Sequence, residues 1–560
     1  MVDTWKDKIY AYALKNAMDH GGKAMANSVL AHLFQEGLDK SEIKKIMPLI
    51  QESVKIVNSM KKTELEKEFA AVERLVKKIE HKEREGLQEL PNVKGQIVLR
   101  LAPFPSGAMH IGNAKTYLLN ALYVEKYHGK LLFVIDDTIG SKEKQIMKDA
   151  YNLLPEAFDW LKVQYEKPIL YKSDRLDIYY KHAEKIINLG KAYVCSCVQE
   201  KLRENREKGI ECACRQYPAK EQMKRWKEMF SAKEGACTLR IKTSMQDKNP
   251  AFRDRVLFRI SDMEHPRVGK KYRVWPLLEF SWAIDDVLLG ITHVIRGKDL
   301  MIESDMEKFI WNIFGWKGPE LIHGGMVKIA GIEAKISKSK AQQEVKSGRF
   351  TGWDDPRTWS VQSLKRRGFL PEAVREFIEK IGLNQNDIAV PIDSLYAINR
   401  KLIDETSDRY SFVQEPIEIE VKKKPAIAEV EVKVHPEQEK RRKIILGEKL
   451  FISSKDYEAN IGKEVRLMNL YNLKLGKSGK CEFTSEHSKN IDKDLVKINW
   501  VSNFSNVRIL MPDGLWVGGI ADDAIKSFEE GREIQFERFG FARYDRINEA
   551  GEYEFWFSHR

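Results

Sequence analysis

Between residues 96 and 135 the chain changes period twice, and that stretch constrains the fold more than any other. Residues 96–101 (QIVLRL) are a short β-type run, 102–109 (APFPSGAM) a loop with proline and glycine, 113–127 a helical pattern, and 130–135 (KLLFVI) a second β-type run. Two strands joined through a helix are expected to run parallel, because the crossover returns the chain to its starting edge. Parallel sheets need cover on both faces, so this unit predicts a doubly wound α/β domain, with alternation continuing to about Lys191.

The 560 residues exceed what one hydrophobic core organises, so several domains are expected. Residues 1–94 read as a helical N-terminal domain, with Val54, Ile56, Val57 and Met60 at helical spacing and a charged helix over 61–85 leading to a linker near Pro91 and Gly95. Residues 95–192 read as the first half of a split Rossmann-type catalytic domain, 193–273 as an inserted domain and 274–345 as the second half. A helical connector over 346–392 precedes a C-terminal all-β region over 393–560, read as barrels from short alternating runs with turns between.

Composition narrows the class. A hydrophobic fraction of 42% with 12 Trp, 19 Tyr and 24 Phe supplies a core for each domain and excludes a disordered chain. No apolar run is long enough to span a bilayer, and the charged N-terminus cannot form a signal-peptide core, so a cytoplasmic protein without membrane contact is expected. The net charge of +12 favours a polyanionic partner.

Two loops carry chemistry. The first, Pro103-Phe104-Pro105-Ser106-Gly107-Ala108-Met109-His110-Ile111-Gly112-Asn113, lies between a strand and a helix, where free backbone N–H groups and the helix dipole attract phosphate. There Gly112 lets a purine ring approach the backbone, and His110 can donate to a phosphate oxygen; a structural histidine beside a tight turn is the bland alternative. The second, Lys335-Ile336-Ser337-Lys338-Ser339, follows a β-type run at 326–329, and its two lysines suit the charge that leaves with pyrophosphate. Gly476-Lys477-Ser478 has no glycine at P-loop spacing and reads as a surface turn.

Four of the six cysteines form two close pairs, Cys195-x-Cys197 and Cys212-x-Cys214, separated by 14 residues. Four sulfurs at this spacing can close a tetrahedral structural zinc site, with unliganded buried thiols as the alternative; Cys237 and Cys481 read as core residues.

In this order, and roughly 225 residues apart, the two loops resemble the His-Ile-Gly-His and Lys-Met-Ser-Lys-Ser signatures of class I aminoacyl-tRNA synthetases. The resemblance extends to the glutamyl-tRNA synthetases of archaeal and eukaryotic type through Arg100-Leu101-Ala102-Pro103, Asp136-Asp137-Thr138, Ala283-Ile284-Asp285-Asp286, Gly290 to Asp299 and Gly352 to Arg357, and it covers essentially the whole chain.

That resemblance implies ATP-dependent activation of L-glutamate with Mg²⁺ and transfer to tRNA(Glu), with tRNA(Gln) left open as a second acceptor. It implies catalytic roles for His110, Lys335 and Lys338 and an ATP site at Pro103, Ser106, Gly107, His110, Gly112, Asn113, Lys335, Ser337, Lys338 and Ser339. It places the amino acid at Arg100, Ala102, Asp136 and Arg296, with Arg100 facing the side chain and Asp136 holding the α-ammonium. It further implies a monomer, an acceptor-binding insert, and an anticodon-reading C-terminal region that can be removed after about Asp393 without loss of ATP activation. Departures fall in the pocket: Asn113 replaces the second signature histidine, and Phe104, Val134, Leu278 and Trp282 stand where other members carry polar or charged groups. A glutaminyl-tRNA synthetase and a catalytically inactive tRNA-binding relative are the competing readings.

Overall fold

In a computed structural model of the protein the described residues are 3–19, 22–39, 42–76, 86–139, 145–332, 338–486 and 495–560. The chain divides into two compact units, 1–85 and 86–560.

The first unit holds helices α1 (Asp3–Asp19), α2 (Ala26–Gln35), α3 (Ile43–Asn58) and α4 (Lys62–Val72). Their apolar stripes, including Ile9, Leu14, Val29, Leu33, Ile46, Ile50, Val57 and Leu65, meet in one core. Of the expected stripe Val57 is buried, but Ile56 is 46% exposed, because successive helical positions point about 100° apart. Of the charged helix expected over 61–85, α4 covers Lys62–Val72 and a 3₁₀ turn follows at Glu73–Leu75, while residues 77–85 lie outside the described residues.

The second unit opens with β1 (Val98–Leu101), α5 (Ile111–Tyr127), β2 (Lys130–Ile135), α6 (Ala150–Trp160), β3 (Glu166–Tyr171) and α7 (Leu176–Asn188). The three strands pair in parallel in the order β1-β2-β3. Ile111, Ala114, Leu118 and Leu122 of α5 pack on Leu99, Leu101 and Phe133, so this helix covers the sheet it crosses.

An antiparallel sheet follows in chain order, β4 (Ala192–Cys195), β5 (Thr238–Ile241), β6 (Val256–Ile260) and β7 (Val274–Pro276), with α8 (Gln199–Lys208) and α9 (Ala219–Met229) between its first two strands. The α/β pattern then resumes with α10 (Leu278–Leu288), β8 (His293–Gly297), α11 (Met301–Phe314), β9 (Glu320–Gly324) and β10 (Val327–Ala330). Thr292 N donates to Val98 O (2.9 Å) and Val98 N to Thr292 Oγ1 (2.9 Å), which lays β8 beside β1 and rejoins the two halves of the Rossmann-like domain. Next come α12 (Lys338–Lys346), α13 (Val361–Arg366), α14 (Pro371–Ile381), β11 (Ile388–Pro391), parallel to β10, and α15 (Ile392–Ile403).

The β region begins at Arg409, after α15, whose Ile392, Leu395 and Ile398 belong to the core around β1 and α5. One sheet has seven strands, and the two at the ends of its order, Arg409–Tyr410 and Phe412–Gln414, are separated by Ser411 alone, so it curls into a near-closed barrel. A second sheet has six strands, and a bridge between Phe451 and Val501 brings its far ends together. The turn at Lys477–Gly479 joins two strands of that sheet, as expected for a surface turn. Among the described residues no helix is long and apolar enough to cross a membrane.

The barrel's last two strands, Gly540–Ile547 and Tyr553–His559, are tied into the helices before them. Buried Arg367 donates from Nε to Phe557 O (3.0 Å) and from Nη2 to Ser558 O (2.8 Å), and Arg366 holds Asp545 through two bonds of 2.9 and 2.8 Å. The expectation that deleting residues after about Asp393 spares ATP activation and cripples charging bears on these contacts. Truncation there removes α15 from the catalytic core and leaves a buried guanidinium without acceptors.

Candidate active site

A cleft of about 1270 Å³ opens where α5, β1, β8 and β10 converge. It gathers Arg100, Ala102, Asp136 and Arg296 with His110, Gly112 and Asn113 of the first loop. Its far wall is Met326 to Ile329 with Ile332, the strand that leads into the lysine loop. Pro103, Ser106 and Gly107 support this cleft without lining it. Lys335 and Ser337 lie outside the described residues, and Lys338 and Ser339 begin α12.

The end of the first loop is held by the segment 359–361. Ile111 N donates to Trp359 O (3.0 Å) and Val361 N to Met109 O (2.8 Å). Gly107 adopts φ +129°, and a Cβ there would lie 2.3 Å from the Trp353 ring, so both conformation and packing require glycine. His110 is the N-cap of α5, its Nδ1 accepting from Asn113 N (3.3 Å). In the neutral ring that acceptor role leaves the proton on Nε2. At Gly112 a Cβ would meet the His110 ring at 3.1 Å, so glycine here keeps the cap geometry as well as open backbone. Asn113 Oδ1 is buried with no hydrogen-bond partner among the described residues, an acceptor suited to a ligand donor.

Charged groups line the opposite end. Asp136 Oδ2 accepts from Lys172 Nζ (3.1 Å) and Trp282 Nε1 (2.9 Å), and its Oδ1 from Thr138 Oγ1 (3.0 Å). Arg100 grips Asp286 through Nε and through Nη2 (3.0 Å). Arg296 places Nη1 and Nη2 on the two oxygens of Glu307 (2.9 and 2.5 Å) and Nη2 also on Ser304 Oγ (2.5 Å). Burial opposes the charge of Arg100, but Asp286 beside it, together with Glu307 and Asp136, offsets burial and raises its pKa. Burial pushes the Lys172 ammonium down in spite of Asp136, and pushes Glu307 up against the pull of Arg296, whose guanidinium favours the carboxylate. Removing one partner from such a buried pair costs about 3–5 kcal/mol, so the pairs hold the pocket's shape.

Phe104 and Leu278 give the cleft apolar walls, while Val134 is fully buried in β2. The Trp282 indole bonds Asp136 and sits against both Arg100 and Lys172.

The four cysteines come together away from this cleft, at the end of β4. Their sulfurs all lie within 4.8 Å of one another, and Cys195 Sγ is 3.7 Å from Cys212 Sγ. A tetrahedral zinc with sulfur at about 2.3 Å needs sulfur–sulfur edges of about 3.8 Å, so the donor set fits that ion. Arg240 Nη1 lies 3.9 Å from Cys195 Sγ, and the hydrogen bond shared with Cys195 pulls the Cys212 thiol down to about 5. Cys481 is buried and Cys237 half-buried.

Four charged neighbours of the site had no role assigned from sequence: Lys115, Lys172, Asp286 and Glu307. Lys115 is buried on α5, bonds Gly325 O (3.3 Å) and lines the cleft, and burial lowers its pKa. Its signal was a lysine four residues after Ile111 on an otherwise apolar stripe. Lys172 directly follows β3, the carboxyl end where parallel sheets bind ligands. Glu307 shares the buried face of α11 with Ile310 and Trp311.

Comparison with known proteins gives the family. A family model described as tRNA synthetases class I (E and Q), catalytic domain, matches residues 96–405, and two models described as the anti-codon binding domain of the same class match 407–489 and 487–545. The glutamate–tRNA ligase of Methanocaldococcus jannaschii is 38% identical over 98% of this chain and 98% of its own length. That of Pyrococcus horikoshii is 40% identical over 96% of each chain, and that of Methanothermobacter marburgensis 35% over 99% of this chain and all of its own. With the matched catalytic region spanning every residue of the cleft, the chain belongs to the class I tRNA synthetases of the E and Q family.

Proposed function

We propose that the chain is a glutamate–tRNA ligase that activates L-glutamate with Mg²⁺-ATP and transfers the glutamyl group to the 3′ end of tRNA(Glu). The observation that carries this reading is the single cleft, in which a phosphate-facing helix start and the strand leading to the lysine loop meet buried Arg100, Asp136 and Arg296. In the first step the glutamate α-carboxylate attacks the α-phosphorus of ATP in line and pyrophosphate leaves. His110 Nε2–H and the start of α5 stabilise the charge on the phosphates, with Lys335 and Lys338 supplying ammonium groups from the second loop. Asn113 Oδ1 takes a donor from the nucleotide. In the second step the terminal ribose hydroxyl of the tRNA attacks the mixed anhydride, and AMP leaves.

Cys195, Cys197, Cys212 and Cys214 would hold Zn²⁺ in a closed site that staples the insert and does no chemistry. We assign the insert to the acceptor end and the barrels to the anticodon. Phe504 and Trp516 are exposed on the last barrel, with Arg508 4.0 Å from the Trp516 ring centre, whereas Trp500 and Phe541 are buried and Phe539 packs against the core. Exposed aromatics beside a guanidinium suit unstacked bases.

Full names of the relatives favour glutamate over glutamine, and the retained His110, Gly112 and paired pocket disfavour an inactive relative. The deciding experiment is pyrophosphate exchange with each of the two amino acids, followed by charging of purified tRNA(Glu) and tRNA(Gln). Glutamate-dependent exchange and charging of tRNA(Glu) are expected; exchange with glutamine alone, or none, overturns the reading.

A further inference from the structure

An amino acid entering the cleft meets three nearly buried charges, Arg100, Asp136 and Arg296, and each already has a partner from the chain itself: Asp286, Lys172 and Glu307. The two guanidiniums are not equivalent. Arg100 spends Nε and Nη2 on Asp286, and no hydrogen bond engages its Nη1 among the described residues. Arg296 gives both Nη1 and Nη2 to Glu307, and its Nε is buried without a partner among the described residues. The Glu307 carboxylate therefore lies in the fork that a carboxylate ligand would take.

We propose that Glu307 is a specificity-determining residue: by holding the fork of Arg296 it leaves Arg100 to receive the substrate's side chain, and it sets how strongly a carboxylate is preferred over a carboxamide. The proposal rests on the reading of this cleft as a glutamate site. Carboxylate and carboxamide have nearly the same shape, so only charge and hydrogen-bond direction separate them. Glu307 is fully buried, which leaves its charge little screened by solvent. An anion placed there subtracts from the attraction that Arg296 offers to a second anion. Glu307 acts through Arg296 rather than on the substrate, and a residue that merely pins α11 to β8 would change stability without changing the choice between two amino acids.

The test uses the full-length enzyme and its Glu307→Gln variant in pyrophosphate exchange with glutamate and with glutamine, alongside a thermal melt. The glutamate-over-glutamine ratio of kcat/KM is expected to rise about tenfold, carried by a lower KM for glutamate at nearly constant kcat. If the Gln variant does not fold, Glu307→Asp keeps the charge while drawing the carboxylate back from the fork, and a several-fold lower glutamate KM is expected. An unmoved ratio in a folded Gln variant, or an unmoved glutamate KM in the Asp variant, overturns the proposal while normal wild-type exchange leaves the glutamate reading standing. Wild-type enzyme without any glutamate-dependent exchange removes both.

Discussion

Arg100 and Lys172 stand over one indole, that of Trp282, with the guanidinium carbon 3.5 Å and the ammonium nitrogen 3.6 Å from its ring centre. Both cations are within cation–π reach of the one ring, which offsets part of their mutual repulsion while its Nε1 bonds Asp136. The pocket's electrostatics thus depend on a residue that carries no charge.

Replacing Trp282 by Phe keeps the aromatic face and removes one hydrogen bond to an ionised group, an expected loss of about 1.5–3 kcal/mol. Trp282→Ala also opens a cavity and removes the ring that offsets the repulsion of the two cations, so a loss of about 3–5 kcal/mol is expected. Urea unfolding of the three proteins measures both steps; equal losses for Phe and Ala would show that the ring contributes only its N–H.

Substituting His110 by Ala removes the N-cap of α5 and, in the proposed reaction, the Nε2–H offered to phosphate. As an electrostatic stabiliser of the transition state it is worth about 2.7–4 kcal/mol, a hundred- to thousandfold in the rate of pyrophosphate exchange. Near-normal exchange by a folded variant would take His110 out of the chemistry and leave it as a cap.

If the four cysteines hold zinc, elemental analysis of the purified protein should find one zinc per chain. Stripping it with a chelator should release the thiols to a thiol reagent and lower the melting temperature. Charging of tRNA should fall more than pyrophosphate exchange, because the cluster lies in the insert and not in the cleft. A metal-free protein that charges tRNA normally would make these buried thiols ordinary packing.

His559 ties pH to stability. Leu370 N donates to Asn399 Oδ1 (2.9 Å), which orients Asn399 Nδ2 to donate to His559 Nε2 (2.9 Å), while the ring's Nδ1 faces Arg560 O (3.1 Å). An accepting Nε2 belongs to a neutral ring, and burial pushes its pKa down to about 4. The folded value lies below the unfolded one of about 6.5, so the stability is fully present above that pH and is lost as pH falls toward 4, by roughly 3 kcal/mol. Urea midpoints for wild type and His559→Gln between pH 7 and 4 should converge as the pH drops; parallel curves would exclude His559 as the titrating group.

Local chemistry in the sequence was enough for the family, the parallel α/β core and the loop that caps α5. Residues 96–135 specify a strand–loop–helix–strand by period alone, and His110, Gly112 and the paired cysteines stand at spacings that only a few sites require. Short-range rules govern such features, because the interacting groups lie within one turn or one hairpin of each other. The pairing of Arg100 with Asp286, of Asp136 with Lys172 and of the barrel's end with Arg367 joins residues far apart in the chain. Nothing in the charge pattern selects those partners from 83 acids and 95 bases, since a buried ion pair is favourable only where tertiary packing excludes water and supplies the remaining hydrogen bonds. Sequence therefore determined which groups the cleft has, and the fold decided which of them remain available to a substrate.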